Sequence, residues 1–524
     1  MSTNKIQQNM KSSFIELKND VNGFIKFIKA NKFTIITTWF FILMAYGIKL
    51  FWYSISIDTE AIINDYDSLL SSWISIGRFG LILIKGMLRL KPFNPYIACF
   101  LMLCTMFLFC MIWSYIFNYL SFNSKNRLVG LCVFPIIFLT SPLFAEQFNF
   151  ILQGFEVAFA IALCGISVFL ITKWVISSSN YIHLILGLVC MVLGLAAYQS
   201  ITSLYISGVL ACYILIYISN KKGNVVLSQN FFRVSVIKYL GTFVLGYLTY
   251  SILNKIFQLV YGSTGYLDQS ITWGKVPVLE SVNNILDYIK ETTIRGNFFY
   301  SKWFIVVVLF FIAYAISNLF SANKNKILFL LAIAALLISP FLLSIYLGQK
   351  LVIRSQFSFQ FVIAFGLYLI VSLINKERLQ KIGVLAVLFI ALGQSCIVSR
   401  LLYTDYMKYQ SEVALANKIS SRIESLNLDK TYPVAFIGKY HPNNTPVQLC
   451  GEVIGKSFFE WDASTKIGSN YRISGFMKTI GYDINKPTQE QIDAARETAK
   501  SMPSWPNTNS IKFDNGVIVV KLSN

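Results

Sequence analysis

The sequence predicts an all-α polytopic membrane domain of about 11 transmembrane helices, followed by a small exported α/β domain at the C-terminal end. Three observations carry this expectation. Hydrophobic residues make up 55% of the 524 residues and charged residues only 13%, where a soluble chain holds roughly 25% charged residues. The apolar residues are gathered into runs of about 17 to 22, the length that crosses the hydrocarbon core of a bilayer. After Val398 the pattern changes abruptly: charges return, apolar runs shorten, and Pro and Asn become frequent.

The elements follow in chain order. Residues 1–32 form a cytoplasmic N-terminal segment in which Phe14, Leu17, Val21, Phe24, Ile25 and Ile28 recur at helical spacing, with Lys11, Lys18, Lys26 and Lys29 between them. That pattern predicts an amphipathic helix lying on the anionic inner surface of a membrane. A polar, lysine-containing stretch precedes the first apolar run and no small-residue cleavage site follows it, which argues against a cleavable signal. The predicted spans are Phe33–Tyr53, Tyr96–Phe117, Val129–Ala145, Val157–Ile176, Ile182–Tyr198, Ser203–Ser219, Tyr239–Val260, Trp303–Ser321, Ile327–Leu347, Phe357–Ile374 and Ile382–Val398. They place residues 33–399 in one membrane domain, with long outer loops at 54–95 and 261–302. Residues 400–524 form the exported domain. Within it the spacing predicts a helix over Leu401–Leu426, a strand over Tyr432–Ile437, a helix over Thr488–Met502, and a hairpin of Ile511–Phe513 with Gly516–Leu522 turning at Asp514-Asn515-Gly516.

A net charge of +20 would suggest nucleic acid on a soluble surface. Its distribution points instead to orientation. With the N-terminus in the cytoplasm, 18 basic and 3 acidic residues fall inside, among them Lys125, Arg127, Lys173, Lys221 and Lys324, while the outer loops hold 10 of each sign. That asymmetry obeys the positive-inside rule, and an odd number of spans exports the C-terminal domain. No nucleic-acid partner is expected. Eight of nine cysteines lie in predicted spans, leaving Cys450 alone in the exported part, so no disulfide framework is available there. There is no CxxC, HExxH or Walker loop, and the two histidines, His183 and His441, leave little room for a metal site. No metal and no cofactor are expected.

Chemistry concentrates in the first outer loop. Asp58, Glu60, Asp65 and Asp67 place four carboxylates within ten residues just beyond a predicted span, followed by Trp73 and by Arg78, Lys85, Arg89 and Lys91. Residues Leu69 to Leu90 are apolar and amphipathic enough to lie along the membrane. A carboxylate at the membrane boundary can act as general base on a sugar hydroxyl, and an arginine nearby can hold a phosphate leaving group. That pairing suits transfer of a sugar from a lipid-phosphate donor; the alternative is a set of solvated loop acids. The short loop Glu146-Gln147-Phe148-Asn149-Phe150-Ile151-Leu152-Gln153-Gly154-Phe155-Glu156 adds polar groups between two apolar spans, which marks a functional region. Tyr198 and Gln199 end a span on the same side, and Arg354, on the outer side before the Phe357–Ile374 span, is a second candidate phosphate ligand.

These residues resemble a known family. The run Ser56-Ile57-Asp58-Thr59-Glu60, then Trp73 and Gly77-Arg78-Phe79, is similar to the first outer loop of the serotype-converting O-antigen glucosyltransferases, bacterial membrane enzymes of the glycosyltransferase C superfamily. Tyr198-Gln199-Ser200 and the closing Met502-Pro503-Ser504-Trp505-Pro506 are similar to other segments of that family. Where the family commonly has a second acid directly after the first, this chain has Thr59. The resemblance implies a multi-pass protein of the bacterial cytoplasmic membrane that moves a hexose, glucose first, from a polyprenyl-phosphate sugar to a surface glycan such as O-antigen. It implies inverting single displacement, with Asp58 as base, Glu60 as its partner, and Arg78 and Arg354 on the donor phosphate; from the residues themselves, Asp65, Asp67, Trp73, Glu146, Glu156, Tyr198 and Gln199 are the substrate-binding candidates. Its partners would be the donor lipid, the glycan acceptor and membrane lipids. A polyprenyl-phosphate glycosyltransferase and a small flippase would supply the donor. Two other classes fit the composition: a lipid-linked sugar transporter or flippase, which should show charged or broken helices at midplane, and a glycan polymerase or ligase, which should carry more base in its central outer loop.

Overall fold

In a computed structural model the chain is described for residues 2–121, 130–177, 181–320, 325–428, 431–442 and 445–524, with backbone alone for 2–12 and 266–267. Lys125, Arg127 and Lys324, and the ends Val129 and Ser321 of two predicted spans, lie outside the described residues.

The fold is mostly helical. Six helices are long and apolar enough to cross a membrane: Pro95–Leu120, Ile151–Ser177, Ile201–Lys221, Gln229–Tyr261, Lys326–Leu347 and Glu377–Glu424. Two bent pairs raise the number to eight if each crosses once, Ser13–Ala30 with Lys32–Tyr46 at 79° and Gly130–Leu139 with Pro142–Phe148 at 52°. The remaining predicted segments fall on the shorter apolar helices Tyr181–Ala197, Trp303–Leu319 and Phe357–Ser372. At 1.5 Å per residue these reach about 24–26 Å, less than the roughly 30 Å hydrocarbon thickness. The second bend sits where Pro142 opens a new helix, because proline cannot donate the backbone bond that would continue the first.

The Ser2–Ala30 helix turns sharply away from the bundle axis and packs along its neighbours. Phe24 and Phe27 meet the Tyr115 ring at 5.5 Å each. Asp20 binds the buried His183 (Nε2 to Oδ2, 2.9 Å) and Lys173. His183 is therefore one of the residues that tie this helix to the bundle.

At the other end, the predicted span Ile382–Val398 and the predicted helix Leu401–Leu426 are one uninterrupted helix, Glu377–Glu424, of 48 residues. No Pro interrupts it, and the residues between the two predicted segments, Ser399 and Arg400, are compatible with helix. It carries the chain from the bundle into a three-stranded sheet made of β1 (Val434–Ile437), β2 (Ile511–Asp514) and β3 (Val517–Lys521), in the order β1-β3-β2. Strand β1 runs parallel to β3 with Val434 opposite Ile518. The β2–β3 hairpin turns through Asn515 at φ 46° and Gly516 at φ 76°, the positive angles that an Asn-Gly hairpin turn supplies. The helix Gln489–Lys500 begins at a capping box between Thr488 and Gln491. Phe458 and Phe459 pack in the core against Phe476.

Candidate functional site

The loop 54–95 folds into three short helices, Thr59–Asn64, Tyr66–Ser75 and Phe79–Met87. Asp58 precedes the first of them in the left-handed region, φ 72°, a conformation that Asp tolerates better than most side chains. The turn directs both Asp58 and Glu60 toward one guanidinium from the C-terminal region. Arg472, on the helix Asn470–Thr479, places Nη1 2.7 Å from Asp58 Oδ1 and 2.8 Å from Glu60 Oε1, and Nε 2.9 Å from Asp462 Oδ2. The helices meet closely at Gly475, where a Cβ would lie 2.9 Å from Glu60 Cγ; Asn64 Nδ2 donates to the Gly475 carbonyl at 2.9 Å.

The two carboxylates differ in their surroundings. The Glu60 side chain is 4% exposed and that of Asp58 44%. Burial pushes the Glu60 pKa up to about 7, with Arg472 opposing the rise and Asp58 adding to it. Asp58 thus presents itself to the outside while Glu60 lies behind it.

A second centre is the segment Glu146–Glu156, which elements from four parts of the chain contact. The buried Glu146 accepts from the backbone N–H of Glu452 (2.7 Å) and Val453 (3.1 Å). A Cβ at Gly451 would overlap its carboxylate. Ser56 Oγ donates to the Asn149 carbonyl at 3.0 Å, and Asn149 Nδ2 donates to Asp405 Oδ1 at 2.9 Å. Asp405 is in turn paired with Lys49 at 2.9 Å. Arg78 Nη1 donates to Gln153 Oε1 at 3.3 Å, and its guanidinium lies over the Tyr198 ring at 4.8 Å. Arg354 lies over Phe150 at 5.3 Å, with Nη1 3.6 Å from Glu452 Oε2. Glu156 is paired with Lys85 at 2.7 Å, both buried. Stacked against aromatic faces, the two arginines keep N–H donors at their edges.

Most predicted site residues therefore converge, by two routes. Asp58 and Glu60 meet through Arg472. Arg78, Arg354, Glu146 and Glu156 gather on the 146–156 segment; Tyr198 joins them under Arg78, and Gln199 holds the loop by donating to the carbonyls of Ile76 (3.0 Å) and Gly77 (3.1 Å). Asp65, Asp67 and Trp73 are placed elsewhere. Asp65 caps its helix by accepting from Ser68 N–H at 3.2 Å, Asp67 is an exposed partner of Lys91 at 2.7 Å, and Trp73 is buried beneath Lys85. Sequence reasoning missed Arg472, Asp462, Asp405 and Glu452. Each is a single charged residue in a region of mixed charge, and no local pattern distinguishes it. Among the described residues no group of three or more His, Cys, Asp or Glu is arranged to hold a metal ion.

Residues 47–371 match the profile of the family described as Glucosyl transferase GtrII. The chain belongs to this family. Membership implies a glucosyl transferase acting on a glycan, in agreement with the resemblance carried by the Asp58 loop, and the apolar helices make this GtrII-family chain a membrane protein. Neither the curated proteins nor the solved structures yield a match to it. The matched stretch contains Asp58, Glu60, Arg78, the 146–156 segment and Arg354, and it ends before Asp405, Glu452, Asp462 and Arg472.

Proposed function

We propose that this GtrII-family protein transfers a hexose, glucose first, from a polyprenyl-phosphate donor to a surface glycan at the outer face of the bacterial cytoplasmic membrane, with the N-terminus inside and residues 400–524 outside. The observation that carries the reading is the pairing of one half-exposed and one buried carboxylate on a single guanidinium at the mouth of the first outer loop. Asp58, the accessible one, takes the proton as the acceptor O–H breaks. The oxygen attacks the anomeric carbon from the face opposite the phosphate, the bond from that carbon to the phosphate oxygen breaks, and configuration inverts. Arg78 and Arg354 meet the polyprenyl phosphate as its charge develops, through charge-assisted hydrogen bonds. Glu60 supports Asp58 from behind. Glu146 and Glu156, already bonded to backbone N–H groups and to Lys85, serve as frame rather than as sugar ligands, a change from their reading as substrate-binding residues.

General-base catalysis contributes about 10²–10⁴-fold. Asp58→Asn should therefore abolish detectable transfer in membranes supplied with polyprenyl-phosphate glucose and the glycan fraction of the producing cells, while the protein still accumulates. Full activity in that variant overturns the assignment. Translocation of the donor lipid in proteoliposomes lacking any acceptor would favour the flippase class instead.

A further inference from the structure

Among the described residues Arg472 is the one guanidinium bonded to both Asp58 and Glu60, and it comes from outside the residues that the family match covers. Its side chain is 25% exposed, and its third bond, to Asp462, fixes the plane of the group from within the C-terminal region. The helix that carries it is held against the Thr59–Asn64 helix at Gly475, and Asn64 also donates to Thr479 Oγ1 at 3.1 Å. The same region clamps the membrane domain again at the Glu146 nest. Two contacts thus fix the C-terminal region against the membrane domain, one at Asp58–Asn64 and one at Glu146.

A surface ion pair holds side chains weakly. Here one planar group bridges two carboxylates of which one is buried, and the buried member has no second cation among the described ion pairs. Such an arrangement sets the direction in which a carboxylate presents its remaining oxygen. Positioning of this kind matters because a displacement of about 1 Å can lower a rate by about 10²-fold.

We infer that Arg472 is a positioning residue for the transfer reaction: it holds Asp58 and Glu60 in register, so that residues 400–524 complete the catalytic unit of the membrane domain. The inference rests on the reading of Asp58 as base, with its Oδ1 engaged by Arg472 and its other oxygen turned to the acceptor.

The test uses the full-length protein in proteoliposomes, with synthetic polyprenyl-phosphate glucose as donor and the glycan fraction of the producing cells as acceptor. Arg472→Met should lower kcat by about 10²-fold while the donor KM stays within about threefold, because the donor phosphate ligands Arg78 and Arg354 are untouched. Arg472→Lys should recover part of the loss, and guanidinium added to Arg472→Ala should recover part of it in a concentration-dependent way, as expected of a missing cation rather than a missing fold contact. Asp462→Asn, which removes the third bond alone, should reduce kcat less than Arg472→Met. Wild-type kcat in Arg472→Met, or a loss that neither Lys nor guanidinium restores, overturns the inference. Asp58→Asn, assayed alongside, separates the two failures. If that variant is inactive and the Arg472 variants are not, the positioning role fails alone; if it is active, the assignment of the base fails.

Discussion

The two long loops, 54–95 and 261–302, are of similar length and lie on the same predicted side of the membrane, yet they are used differently. The first, 54–95, buries part of its charge: Glu60 and Lys85 are buried, and Asp58, Glu60, Arg78 and Lys85 are bonded to Arg472 or to the 146–156 segment, while the Asp67–Lys91 pair stays at the surface. The second, 261–302, turns its apolar residues outward. On the helix Val278–Lys290, Val278, Leu279 and Leu286 are exposed while Ser281, Ile285 and Tyr288 face the protein. Its charges form surface contacts such as Lys290 with Asp287 at 3.9 Å and Lys350 with Glu291 at 2.7 Å. Sequence composition alone does not separate the loops, since both mix acids with bases. The difference teaches that the informative feature is the burial of charge with a partner. That costs desolvation and persists only where the fold over-determines it.

The largest expected effect breaks the first loop at its deepest pair. Lys85→Met or Glu156→Gln alone leaves an unpaired buried charge and should lower stability by about 3–5 kcal/mol, read as thermal unfolding in detergent micelles. The double variant Lys85→Met with Glu156→Leu should recover much of the loss; a double variant as damaged as either single one would show that the pair is not what holds the helices.

Next comes the Glu146 nest. Glu146→Ala leaves the N–H groups of Glu452 and Val453 without their acceptor, at about 1–3 kcal/mol for each buried unsatisfied donor. Limited proteolysis of residues 400–524 should accelerate in that variant. Unchanged protection would mean that the remaining contacts, among them those of Arg472, Asn64 and Asp405, hold the C-terminal region without the Glu146 nest.

A smaller, pH-dependent effect concerns Glu60. Its pKa is raised from 4.5 to about 7 by burial, so between those values the folded state binds more proton than the unfolded one. The stabilisation associated with its protonation is complete below the unfolded value and is lost as pH rises through about 7. Melting temperature should therefore fall across that window, and Glu60→Gln should flatten the fall. An identical slope in the variant would show that Glu60 is already ionised at the acidic end.

The smallest effect is expected in the second loop. Leu279→Ser, on the exposed face, should change stability in detergent by no more than about 0.5 kcal/mol. A clear loss there would mean that this face is packed against protein, and the contrast between the loops would narrow.

Much of the secondary structure was legible because it depends on local pattern. The apolar runs fall on helices, the Asn515-Gly516 turn closes the hairpin, and Thr488 with Gln491 opens the last long helix. Asp58 and Glu60 were legible as a pair because a cluster of acids next to a span is unusual. The single helix Glu377–Glu424 was not, since the loss of apolar character after Val398 resembles a boundary although the backbone has no reason to stop. Asp65 and Asp67 had the same local signal as Asp58, and only the direction of each turn told them apart: one caps a helix and one faces water.

By itself, the sequence determined that the chain is a membrane protein, which segments are apolar enough to be helices in a bilayer, and which loop holds the acids. Those properties depend on composition and on periods of a few residues. Tertiary structure alone decided that Arg472 meets Asp58 and Glu60 across more than 400 residues of chain, and that Glu146 is closed over by Gly451 to Val453. Hydrogen bonds of about 2.7 to 3.1 Å between such distant residues depend on how the helices pack, and no local spacing in the chain encodes that distance.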